Sequence, residues 1–73
     1  MLEKEKAKVG ARIKQLRIAA GYTNADDFAT DNEYTSSDYR GLERGRNITL
    51  NTLIRILNCH GITYSEFFSE GFD

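Results

Sequence analysis

The chain has 73 residues, enough for one domain and too few for a second lobe that would enclose a substrate cleft. A chain of this size buries only roughly 60% of its unfolded surface, so its core is small. The formal net charge of −1 excludes a uniformly basic coat, the single cysteine, Cys59, excludes an internal disulfide, and no apolar run approaches the roughly 20 residues of a membrane span. Met1 to Lys8 alternates acids and lysines without the apolar core of a signal peptide, so the expectation is a cytoplasmic protein with no membrane partner.

In chain order, residues 3 to 20 carry the longest helical pattern. Val9, Ile13, Leu16 and Ala20 fall on one stripe at i, i+4, i+7 and i+11, and Gly21 is placed to stop the helix. The turns before Lys8 lack strong apolar anchors, which predicts a core spanning about 9–68 of a single 1–73 domain, with loose ends at 1–6 and 70–73. Asn24 is an N-cap for a short second helix over 25–31. Asp26 and Asp27 stand in its first turn, where the helix dipole favours acids, and Phe28 and Ala29 are its apolar anchors.

The stretch from Tyr34 to Arg46 predicts a third helix over 36–44. Thr35 is its N-cap, and Asp38, three residues on, is spaced to return a bond as an approximate capping box. Tyr34 and Tyr39 hold the N′ and N4 positions of a hydrophobic staple. Tyr39 and Leu42 share the inward face, while Ser36, Ser37, Arg40 and Gly41 point away from it. Gly45 can take the positive φ that ends the helix. Thr49 caps a fourth helix with Leu50, Leu53, Ile54 and Leu57 as its stripe, and Gly61 stops it. Thr63 with Glu66 forms a capping box for a last helix at 64–69, in which Ile62 and Phe67 are spaced as a staple. No alternating run and no hairpin turn signals a strand. The prediction is an all-α, compact five-helix domain in which helices two and three form a helix-turn-helix unit.

Charge distribution matters more than its sum. Lys4, Lys6, Lys8, Arg12, Lys14 and Arg17 fill the first seventeen residues, and Arg40, Arg44 and Arg46 cluster later. Asp26, Asp27, Asp31, Glu33 and Asp38 form an acidic block between them. An arginine-bearing helix with small polar residues on its free face suits a nucleic-acid groove.

Several pieces are similar to a known family: Ala11-Arg12-Ile13-Lys14-Gln15-Leu16-Arg17, Gly21-Tyr22-Thr23, Phe28-Ala29, Leu42-Glu43-Arg44-Gly45-Arg46, Thr49-Leu50-x-Thr52-Leu53, and Gly61-Ile62-Thr63-x-x-Glu66-Phe67-Phe68. At this spacing, residues 11–68 resemble the XRE family of helix-turn-helix DNA-binding proteins, which includes phage Cro and repressor proteins. The resemblance implies a lambda-repressor-like fold, with helix two across the DNA backbone and helix three in the major groove. By position, Ser36, Ser37, Arg40 and Gly41 then face base edges, with guanine O6 and N7 the natural partner of Arg40. Arg44, Arg46 and Asn47 in the following loop, and Asn24, Ala25 and Thr35 at the helix starts, are implied phosphate contacts. Arg17 and Glu43 match a structural ion pair joining helix one to helix three. The chain departs from the family pattern at Ala25, where glutamine is frequent, at Ser36, Ser37 and Gly41, where Gln, Arg or Asn are frequent, and at Asp38.

Other chemistry finds little footing. Cys59 and His60 are the only residues of their types, short of the three or four ligands of a zinc site. Adjacent helical residues point about 100° apart, which does not suit a nucleophile and its base. The six glycines are scattered stops and form no phosphate loop. The expectation is therefore a transcriptional regulator with no enzyme activity, cofactor or metal, acting as a homodimer on double-stranded DNA. Phe67, Phe68 and Phe72 supply one core residue and a dimer contact. A narrower form of this expectation is the antitoxin of a toxin–antitoxin pair, with a cognate toxin as protein partner. The alternative, motivated by Ala25, Asp38, Gly41 and the net acidity, is a protein-interaction module that keeps the fold and has lost DNA reading.

Overall fold

Five helices follow one another in the computed structural model, which describes Leu2 to Asp73: α1 Leu2–Ala19, α2 Ala25–Asp31, α3 Ser36–Glu43, α4 Leu50–His60 and α5 Tyr64–Phe67. No strand occurs among the described residues. Met1, the first residue of the expected loose end, lies outside them. The Cα radius of gyration is 11.3 Å, the value of roughly 11 Å expected for a compact globule of this length.

Local hydrogen bonding starts and stops the helices. Asn24, Thr35, Thr49 and Thr63 each accept from a backbone N–H of the first turn of α2, α3, α4 and α5. The Thr63–Glu66 capping box is complete. At Thr35 it is half-made: Asp38 N–H donates to the Thr35 hydroxyl at 3.2 Å, while the Asp38 carboxylate faces Arg46 at 3.6 Å. α1, α3 and α4 end on the paired bonds of a Schellman motif around positive-φ glycines, Gly21, Gly45 and Gly61. α2 ends the same way without a glycine. Glu33 takes φ 63°, Tyr34 N–H donates to Ala29 C=O at 2.8 Å and Glu33 N–H to Thr30 C=O at 3.4 Å.

The core comprises Ile13, Phe28, Ala29, Tyr39, Leu42, Ile56, Leu57 and Phe67. Phe28 packs against Tyr39 with its ring tilted by 35° and stacks on His60, at centroid distances of 4.9 and 5.2 Å. The apolar faces differ from expectation in two helices. In α1 the buried line is Gly10, Ile13 and Arg17, and Ala20 lies exposed just beyond the last helical residue. In α4, Ile56 is fully buried while Leu50 is 64% and Ile54 37% exposed. Ile56 shares a helix face with Leu53, Leu57 and His60, and that face meets Phe28.

α3 is the central helix, packed against both α1 and α2. It approaches α1 backbone to backbone. A Cβ at Gly10 would lie 2.5 Å from Glu43 O and 2.8 Å from Leu42 O, and one at Gly45 would lie 3.0 Å from the backbone of Lys6 and Ala7. Glycine costs a helix interior about 1 kcal/mol relative to alanine; here it lets two backbones touch. α5 is shorter than the expected 64–69, and Arg12 ties it to α1. The Arg12 Nε donates to Phe67 C=O and its Nη2 to Glu66 C=O, both at 2.7 Å. A cation on terminal carbonyls is a C-cap, so this arginine is spent on the fold.

Candidate nucleic-acid interface

The inward side of α3 is fixed from three directions. Arg17 donates from Nε to Glu43 Oε2 at 2.7 Å, from Nη2 to Glu43 Oε1 at 3.2 Å and from Nη1 to Tyr22 C=O at 2.8 Å. The two side chains are only 6% and 10% exposed, so Glu43 holds the Arg17 guanidinium firmly charged against the opposing effect of burial. Tyr39 is fully buried beside this pair, and burial, reinforced by Glu43, pushes its phenol up. Tyr34 packs on Tyr39 at 5.8 Å, as a staple does, and Arg55 of α4 lies 4.4 Å over the Tyr34 ring. That cation–π contact, unmarked in the sequence, ties α4 to the start of α3.

The opposite side of α3 faces outward. Ser36 and Ser37 are exposed. Arg40 donates from Nε and Nη2 to the two Asp26 carboxylate oxygens at 2.9 and 2.8 Å, a two-point pair between α3 and the first turn of α2. The side chains remain 48% and 43% exposed. Gly41 underlies the Arg46 side chain: a Cβ there would meet Arg46 Cδ at 2.8 Å. Arg46 thus runs back along α3 and holds Asp38. Arg44 and Asn47 are exposed in the loop after α3.

The implied phosphate contacts divide by what their atoms already do. The Asn24 and Thr35 side-chain oxygens cap α2 and α3. Ala25 is half-buried against the core. Arg44, Arg46 and Asn47 are the accessible group. Within the basic opening run, Lys8 lies 3.5 Å from Glu5, and Arg12 and Arg17 are engaged internally, so the run is not a continuous cationic patch.

The chain matches no protein-family model, no curated protein and no solved structure.

The three aromatic residues near the end separate. Phe67 is fully buried, because α5 seats it in the core, and this corrects its place among the dimer contacts. Phe68 is 44% exposed and Phe72 half-buried, with ring centroids 4.8 Å apart. Among the described residues no His, Cys, Asp or Glu cluster is arranged to hold a metal ion. His60 is stacked on Phe28 and its Nε2 is buried without a hydrogen-bond partner; burial first, then Arg12, pushes its pKa down. Partial desolvation pushes the Cys59 thiol up, with Arg55 opposing, the reverse of what activates a nucleophilic thiol. No helix among the described residues is long and apolar enough to cross a membrane.

Proposed function

We propose that the chain is a DNA-binding transcriptional regulator of the XRE type, with a lambda-repressor-like helix-turn-helix fold in which α3 enters the major groove of double-stranded DNA. The observation that carries this reading is the two-sidedness of α3. One side is bolted to α1 and α2 through Tyr39, Leu42 and the Arg17–Glu43 pair. The other presents Ser36, Ser37 and Arg40 to solvent and leads into the exposed Arg44, Arg46 and Asn47. A groove-reading helix needs this combination: rigid support behind, short polar and guanidinium donors in front, and cations at the edge for phosphate. The protein acts in the cytoplasm without metal, cofactor or enzymatic chemistry. As a homodimer it reads half-sites about one helical turn apart, with Phe68 and Phe72 on the contact surface.

Fluorescence anisotropy with mixed duplex DNA over a salt series tests the reading. About five phosphate contacts give a log–log slope on the order of −4 to −5, and absence of binding at about 50 mM salt refutes it. Sedimentation of the free and DNA-bound protein checks the dimer. The narrower antitoxin role is checked by co-purification with the product of the adjacent gene.

A second reading, a protein-interaction module without DNA binding, is favoured by one feature. Arg40 and Arg46 are each paired with a carboxylate, Asp26 and Asp38, which lowers the positive potential at the outer side of α3. A flat salt series sends the function to this reading.

A further inference from the structure

We propose that Asp26 is a specificity-determining positioning residue: it holds Arg40 so that one edge of the guanidinium is presented outward to read a guanine. This rests on α3 being the groove-reading helix. The guanidinium is planar, with two edges that each carry a pair of parallel N–H donors. Asp26 takes the Nε/Nη2 edge, with both bonds under 3.0 Å. The Nη1/Nη2 edge, which points away from the carboxylate, is the one left for a base, and its pair of parallel donors matches guanine O6 and N7.

The two residues lie on different helices, fourteen apart in the chain, so the pair also ties the long Arg40 side chain to α2. α2 itself is anchored by Phe28 and Ala29 in the core. An unpaired arginine on a helix surface samples many rotamers and loses that freedom on binding; here Asp26 has already removed much of it. Asp26 also cancels the charge of Arg40, so the pair adds discrimination between bases and little general attraction to phosphate. The exposure of both side chains, 48% and 43%, leaves the outer edge accessible.

The test selects duplexes from a randomised library with the full chain, then measures affinities for the preferred site and its single-base variants. Wild type, Arg40→Ala, Asp26→Ala, Asp26→Asn and the double variant Asp26→Ala/Arg40→Ala are compared at one salt concentration. Wild type is expected to prefer guanine at one position of the half-site by about 5- to 150-fold, the range of a two-point arginine contact. Arg40→Ala abolishes that preference. Asp26→Ala reduces it roughly 2- to 12-fold, the cost of re-immobilising one flexible side chain, and leaves preferences at other positions intact. The double variant matches Arg40→Ala alone. Asp26→Asn, which accepts one of the two bonds, falls between wild type and Asp26→Ala; because it keeps the shape of Asp26, it also separates reading from folding.

The proposal is overturned if Asp26→Ala tightens all duplexes equally with the guanine preference unchanged, since Asp26 is then only a repelling charge. It is overturned equally if Asp26→Ala sharpens the preference, since Asp26 then sequesters Arg40, or if wild type binds DNA with no guanine preference that depends on Arg40. If wild type binds no duplex at all, the groove-reading function itself has failed, and that is read from wild type alone.

Discussion

Replacing Glu43 by glutamine or alanine strands a buried guanidinium, and the cost follows from the geometry of the Arg17–Glu43 pair. Arg17 has only 6% of its side chain exposed, and two of its three hydrogen bonds go to Glu43. The third, to Tyr22 C=O, prevents Arg17 from swinging out to water without releasing the end of α1. Removing one partner of such a pair costs about 3–5 kcal/mol, because a charge is left buried and uncompensated. The whole domain is held by roughly 4–11 kcal/mol at about 0.05–0.15 kcal/mol per residue. Either single variant therefore removes a large share of its stability. At about 4–8 °C per kcal/mol for a domain of this size, the melting temperature falls by roughly 12–40 °C. Urea unfolding followed by far-ultraviolet circular dichroism measures the loss directly. The double variant Arg17→Met/Glu43→Leu removes both charges together and is expected to be more stable than either single variant. Single variants that lose less than about 1 kcal/mol, within the range of an exposed pair, refute the reasoning. So does a double variant whose loss equals the sum of the losses of Arg17→Met and Glu43→Leu measured singly.

Gly10→Ala gains about 1 kcal/mol of helix propensity but drives a methyl into the carbonyls of Leu42 and Glu43; backbone cannot step aside, so overpacking of about 1–3 kcal/mol outweighs the gain, and a net loss of up to about 2 kcal/mol is expected in urea unfolding. Glu33→Gly relieves a left-handed conformation that costs a non-glycine residue about 1–2 kcal/mol, partly offset by about 0.5–1 kcal/mol of added chain entropy; a rise in melting temperature is expected, and a fall shows that the Glu33 side chain supports the turn. His60 is the single histidine of the chain, and its folded pKa lies below the ordinary 6.5. The unfolded chain therefore binds the proton more readily, so stability is full above pH 6.5 and declines as pH falls below it; His60→Phe, which keeps the stack on Phe28, flattens the pH 5–7 stability profile relative to wild type. On the functional side, Arg46→Ala is expected to weaken binding to all duplexes alike and to reduce the salt slope by about 1.

Residue by residue, what could be read in advance was what is decided within one or two helical turns. The caps at Asn24, Thr35, Thr49 and Thr63, and the stops at Gly21, Gly45 and Gly61, each rest on hydrogen bonds spanning two to five residues, so side-chain chemistry alone marks them. The inward placement of Tyr39 and Leu42 and the outward placement of Ser36, Ser37 and Arg40 follow from helical geometry once those ends are known. Tertiary structure decided whatever depends on where one helix crosses another. Gly10, which carries no signal of its own in the α1 pattern, becomes the contact where α1 meets the end of α3. Ile56 replaces Ile54 in the core because the rotation of α4 is set by the rings it must meet, not by its own stripe. Glu33 stops α2 because Tyr34 is drawn into the core and the chain has to turn there. Arg12 reaches carbonyls 54 and 55 residues away, and Arg40 finds its partner in Asp26. A charge listed along a chain has no partner until the fold supplies one, which is why the cations were visible in the sequence and their employment was not.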